Sequence, residues 1–312
     1  MSDSTDLLTF DRDALRRHRE RAAGLDPAAR FLHRAVQERL VDRLFDIRRD
    51  FPDMLDLGAG DGGLPDLLAR NGIRPAHLVA LDPSQHFARR SAEAGIPTVV
   101  AEEDMLPFRA GSFDLVIATL GLHWVNDLPG ALLQIRHILR PDGLFLAGMF
   151  GGRTLVELRE VLMQAELDLH GGVSPRVSPF ADLPDCGALL QRAGFGLPVV
   201  DSEMLTVTYP HLFALMADLR AMGETNALRL RARGPVRRAL FLRAAELYRA
   251  RYGDDEGRIP ASFQLLTLTG WAPAATQQQP LRPGSAAHRL AEALKAEERS
   301  AGEAAPVRRS AR

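Results

Sequence analysis

Apolar residues follow two different rhythms along this chain. Between residues 11 and 49, Phe31, Leu32, Val36, Leu40, Leu44 and Phe45 recur at threes and fours in a background dense in Arg, Asp and Glu. That spacing predicts one or two amphipathic helices. They are expected to cover one edge of the main domain, with a lid over an active site as the functional alternative. From residue 54 the pattern changes to short apolar runs at 54–58, 77–82, 98–102, 113–119 and 144–150. Such runs are what parallel strands buried on both faces look like. Helical stretches separate them at 64–71, 84–94 and 128–139. Asp127 reads as an N-cap for the last helix, and Pro141-Asp142-Gly143 as its stop. Strand–helix alternation of this kind predicts a doubly wound α/β sheet with helices on both faces.

After residue 150 the alternation loosens. A helix is expected over 154–169, then an irregular loop, rich in turn formers, over 171–180. A short helix over 185–193 closes at Gly194. A strand exposed on one side follows at 199–209, then helices at 211–222 and 235–252, the second with Pro235 in its first turn. Residues 262–269 read as a final strand. The domain reading is an N-terminal helical segment (1–50), a main domain (51–271) carrying a helical insert over about 151–260, and a disordered tail (272–312) with at most a short helix at 286–297.

Composition narrows the function classes. A hydrophobic share of 46% and a charged share of 25% suit a soluble globular chain of 312 residues. A formal net charge of −1 gives no overall field toward nucleic acid or an anionic membrane. One cysteine, Cys186, excludes an intrachain disulfide and a multi-cysteine zinc site, and points to a reduced compartment. No apolar run approaches the roughly 20 residues of a membrane span. The acidic start lacks the apolar core of a secretory signal, so a bacterial cytoplasmic protein is expected.

The chemistry centres on MLDLGAGDGG, residues 54–63. A strand here enters Gly58, Gly60 and Gly62, where the backbone can turn tightly and approach a ligand closely. The following helix points its amide-rich N-terminus into the same space. The glycines are spaced more closely than in the dinucleotide fingerprint. The loop itself has no basic residue, and Asp61 adds a negative charge, which counts against phosphates. Asp82, ending the second strand, is placed to accept from ribose hydroxyls, or merely to cap the helix that starts near Ser84. Glu102, Glu103 and Asp104 offer a carboxylate to an adenine amino group, or form a solvated acidic loop. His123, Trp124 and Asn126 lie past the carboxyl end of the fourth strand, where a substrate pocket belongs. A mononuclear iron site needs two histidines and a carboxylate on one face. The nearest candidate, His18-Arg19-Glu20, is a poor ligand set, and no metal site is expected.

Taken together, LDLGAGDG, ALDPS, EEDMLPF, GSFDLVIATLGLHWVNDL and LRPDGLF resemble a class I S-adenosylmethionine-dependent methyltransferase over residues 54–150. The resemblance implies a Rossmann-like, seven-stranded α/β fold whose late strands form an antiparallel hairpin. It places Asp56, Gly58, Ala59, Gly60 and Gly62 around the methionine part of the cofactor. Asp82 and Pro83 fall beside the ribose, and Leu120 at the amino-acid end. One of Glu102, Glu103 and Asp104, with Met105, falls beside the adenine. His123 and Trp124 are the catalytic candidates. FDRD, FDIRRDFP, LHWVNDLP, MFGGRTLVELR, SPRVSPF, YPHLFALMADLRAMGE and YRARYGDDEGRIPASFQ extend the likeness to residues 10–271. They resemble the mitochondrial complex I assembly factor 5 family and its bacterial relatives, and more distantly the malonyl-carrier-protein methyltransferase of biotin synthesis. The first family implies arginine hydroxylation in an iron–sulfur subunit of respiratory complex I. The second implies methyl transfer to a small or carrier-bound acid, which Arg176 would suit. A non-catalytic assembly chaperone that keeps the fold is the third reading.

Overall fold

The computed structural model describes residues 8–232, 234–277 and 295. Met1–Ala275 form one compact unit; of the second, Thr276–Arg312, only residues 276, 277 and 295 are described. Most of the expected disordered tail, with the helix read at 286–297, therefore lies outside the described residues.

A seven-stranded sheet carries the first unit. In chain order its strands are β1 (Asp53–Leu57), β2 (His77–Leu81), β3 (Thr98–Val99), β4 (Phe113–Thr119), β5 (Leu139–Phe150), β6 (Gly196–Tyr209) and β7 (Ile259–Trp271), arranged β3-β2-β1-β4-β5-β7-β6. The first five are parallel, while β7 runs antiparallel to both β5 and β6. Side chains alternate faces along each strand, and here both faces are covered. Met54, Leu115, Ile117, Leu144 and Leu146 pack on one side; Leu55, Leu57, Val116, Ala118, Phe145 and Ala147 pack on the other.

The first face is covered by α2 (Phe31–Phe45), α6 (Val156–His170), α8 (Leu212–Met222) and α9 (Arg238–Tyr252). The second is covered by α5 (Leu128–Ile138) and α7 (Leu183–Arg192). Asp127 caps α5 by accepting from the Gly130 amide at 2.9 Å. The remaining helices are α1 (Arg12–Ala23), α3 (Leu64–Arg70) and α4 (Gln85–Glu93).

Several expectations change. Of the two N-terminal helices, α2 lies on a face of the sheet. Leu32, Val36, Leu40, Val41 and Leu44 of α2 pack flat on the sheet, so close that a Cβ at Gly148 would collide with Val36. Phe45, read as part of that apolar face, is exposed. Strand β3 is shorter than expected because the chain leaves the sheet after Val99 and carries its three acids toward α1. Strand β5 begins at Leu139, where α5 ends, because Leu139 pairs with Phe113 before the register shifts. Pro235 stays outside α9, which begins only where its stripe of Leu240, Ala244 and Tyr248 reaches the core. Strand β6 joins the sheet as its outer strand beside β7, in the antiparallel hairpin the sequence led us to expect, and begins three residues earlier than read.

Candidate active site

The carboxyl ends of β1, β2 and β4 converge at the switch point of the sheet, where open α/β sheets bind ligands. The glycine loop leaves β1 here. Gly60 and Gly62 have φ of +58° and +73°, a left-handed conformation that disfavours any side chain. The Gly58 and Ala59 amides donate to the Leu81 carbonyl at 2.8 and 3.1 Å, tying the loop to β2. Asp82 completes the tie: its Oδ2 accepts from the Gly60 amide at 2.9 Å and its Oδ1 from the Ser84 amide at 2.8 Å. Ser84, not Asp82, caps α4, accepting from the Phe87 amide through its hydroxyl.

Burial dominates the electrostatics. It pushes the Asp82 carboxyl up to about 6, against the pull of Arg19. Burial, then the neighbouring Asp82 and Asp61, pushes Asp56 up to about 8. Asp56 Oδ1 is buried without a hydrogen-bond partner. A carboxyl in that state holds its proton at neutral pH and becomes an anion when a cation arrives.

The three acids after β3 are not a solvated loop. Arg12 pairs with Glu102 at 2.9 Å and with Asp104, Arg16 pairs with Glu102 at 2.6 Å, and Arg19 pairs with Glu103 at 2.6 Å. These arginines recur at threes and fours along α1, so one helix face lies across the acidic loop. Of the three acids, Glu103 is buried and lies against Gly58 and Gly121. Met105 is 71% exposed, whereas Pro83, Ala59 and Leu120 are buried. Leu120 turns the chain out of β4 with a φ of +48°.

Sequence reasoning missed Arg19, Arg30, His33 and Glu224. The loop lacks a basic residue of its own, but the 3-10 turn Pro27–Arg30 supplies one. Arg30 is buried, with its guanidinium 4.4 Å from the Phe87 ring centroid, and fills the space that a Cβ at Gly60 would need. Burial lowers its pKa, opposed by Asp61 and Asp82. Burial, then Arg30, holds His33 neutral. Arg19, Arg30, His33, Asp82, Leu120 and Glu224 enclose a space of only about 10 Å³, about one water. None of the missed residues sits in a glycine motif. The only signal for the arginines was their density before residue 31.

Beyond this cradle, toward β7, lies an apolar pocket of about 240 Å³ lined by Trp124, Phe150, Phe180 and Phe263, with Glu224 and Arg176 among its polar groups. Trp124 Nε1 donates to Glu224 Oε2 at 3.0 Å, and His123 Nε2 stands 3.2 Å from the same oxygen. Both rings are buried. The expected pocket residue Asn126 is used structurally instead, bonding both the amide and the carbonyl of Phe10. Arg176 is held by Glu166 through Nε at 2.7 Å and Nη2 at 2.5 Å. Among the described residues no cluster of three His, Cys, Asp or Glu side chains could hold a metal ion, and no helix is long and apolar enough to cross a membrane.

Strand order, the reversed β7 and the glycine cradle define a class I methyltransferase fold. The YcgJ protein of Bacillus subtilis shares it, with a TM-score of 0.51 at 15% identity over 76% of this chain and 99% of that one. The Methyltransferase domain family matches residues 55–147. The mitochondrial arginine-hydroxylase NDUFAF5 of Mus musculus is 43% identical over 284 residues, covering 90% of this chain and 82% of that protein. The malonyl-acyl-carrier-protein O-methyltransferase of Xylella fastidiosa is 34% identical over 270 residues, covering 85% and 89%. The chain belongs to this family, within the S-adenosylmethionine-dependent methyltransferase superfamily.

Proposed function

We propose that this chain binds S-adenosylmethionine in the glycine cradle and modifies an arginine side chain of a protein, an iron–sulfur subunit of respiratory complex I. The donor set fits the cofactor. The left-handed glycines present bare backbone to the site, and the orphaned Asp56 oxygen and the buried Asp82 suit a ligand with cationic groups and a ribose diol. In this reading Asp82 and Pro83 face the ribose, Glu103 the adenine amino group, and Asp56, Gly58, Ala59, Gly60, Gly62 and Leu120 the methionine part. Arg19 and Arg30 stand in the cradle, and Arg30 would have to leave the space beside Gly60 for the methionine part to enter. When bound, S-adenosylmethionine supplies a sulfonium centre with an electrophilic methyl group.

The observation that carries the arginine reading is the pairing of Arg176. A carrier-bound carboxylic acid, the second reading, needs a free cation in the pocket, but Glu166 already neutralises this one. The relatives named arginine hydroxylases point to oxygen addition as the modification. Trp124 lines the pocket, His123 packs against its rings Trp124, Phe150 and Phe180, and the proposed setting is the bacterial cytoplasm, in keeping with the free thiol of Cys186. The test is peptide mass spectrometry of complex I subunits from cells with and without this gene. Loss of one oxygen mass from an arginine in the knockout supports the reading. Loss of a methylene mass makes this a protein methyltransferase. No change in any peptide rejects the reading and favours the carrier-bound acid.

A further inference from the structure

Glu224 lies in the wall shared by the cradle and the aromatic pocket, lining both. Its side chain is 8% exposed. A carboxylate this buried is ordinarily matched by a cation. Here no Arg or Lys forms an ion pair with it among the described residues; its neighbours are the rings of Trp124 and His123, which both meet Oε2 and leave Oε1 unengaged by either ring. The nearby cations pair with other carboxylates, Arg19 with Glu103, Arg30 with Asp61 at 3.7 Å and Arg176 with Glu166, so Arg19 and Arg30 act on Glu224 only through their field.

The rest of the wall has the complementary character. Phe180 packs 6.3 Å from Trp124, 6.0 Å from Phe150 and 5.3 Å from His123, centroid to centroid, so the carboxylate sits at the inner end of an aromatic chamber. Aromatic faces attract a desolvated cation. A guanidinium satisfies both requirements, because its planar fork matches a carboxylate while its faces stack on rings. At about 240 Å³ the chamber falls below the ~300–1,000 Å³ typical of drug-sized ligand sites, so it suits one long side chain.

We propose that Glu224 is the anchor that selects a guanidinium group and draws it from the aromatic pocket to the edge of the cradle. This rests on the arginine-modifying reading above and adds the residue that makes the choice. Trp124 and His123 act as positioning residues that hold the carboxylate in place.

The test is calorimetric titration of the full chain with Nα-acetyl-L-arginine methylamide and with its citrulline counterpart, which has the same shape without the charge. The wild type is expected to bind the arginine compound at least tenfold more tightly. Glu224→Gln keeps the size and removes the charge; it should weaken the arginine compound about tenfold and leave the citrulline compound within twofold. Equal binding of the two compounds by the wild type overturns the anchor without recourse to any variant. So does a Glu224→Gln protein that melts normally and keeps the preference. An arginine mass change in cells together with a preserved preference in Glu224→Gln rejects the anchor and leaves the arginine reading intact. A Glu224-dependent preference without any arginine mass change supports the anchor and rejects that reading.

Discussion

Replacing Asp56 by Asn removes a buried carboxyl that the folded protein keeps protonated far above its ordinary range. Its folded-state pKa is about 8 against an ordinary 3.8. Between these values the folded chain holds a proton that the unfolded chain has released, so stability falls as pH rises. At about 1.4 kcal/mol per pH unit, the penalty grows from nothing near pH 4 to on the order of 4 kcal/mol at pH 7. An amide in the same shape carries no such penalty. Burying its own polar atoms returns about 1–3 kcal/mol, leaving a net gain of about 2 kcal/mol. For domains of about 150–250 residues that corresponds to a Tm increase of roughly 4–8 °C. The assay is thermal unfolding of both proteins from pH 4.5 to pH 8, read as the difference between them. This cancels the titrating groups that do not interact with Asp56. The advantage of Asp56→Asn should widen steadily with pH. A difference that does not change with pH, or a variant that melts below the wild type at pH 8, refutes the argument that Asp56 is buried at the expense of its charge.

Asp82→Ala removes an acceptor bonded to two backbone amides, and S-adenosylmethionine affinity measured by calorimetry should fall at least tenfold, as expected for a charged hydrogen bond of about 1.5–3 kcal/mol. Arg19→Met strands Glu103 in the interior and should lower stability by about 3–5 kcal/mol, most of it recovered when Glu103→Leu is added; urea titration of the single and double variants decides. Gly60→Ala forces a left-handed conformation at about 1–2 kcal/mol and pushes on Arg30, so both Tm and cofactor affinity should drop.

The parallel half of the sheet was legible because its strands are buried on both faces and read as plain apolar runs; β4 begins and ends where the sequence placed it. The cradle was legible for a related reason, since only glycine tolerates its backbone there. What stayed hidden depends on contacts between distant residues. Arg30 looks like any surface arginine until the turn before α2 carries it over Phe87. Glu224 closes the stretch YPHLFALMADLRAMGE, which gives it no chemical role on its own; only the fold brings Trp124 to it. The three acids looked solvated because their partners lie on α1, far upstream. Strand β7 was read too short because its ends look like turns, yet pairing with β6 continues as far as Ile259.

The cover of the cradle also has an order in time. Phe10, Asp11 and Arg19 are made early, but Arg19 waits 84 residues for Glu103, Phe10 waits 116 for Asn126, and Asp11 waits 220 for Arg231. Each doubling of the loop to be closed adds about 0.6 kcal/mol, so the longest of these pairings is the costliest to form early. During synthesis the arginines of the first helix find their acids within the first half of the chain, whereas the Asp11–Arg231 fastening waits for its last third.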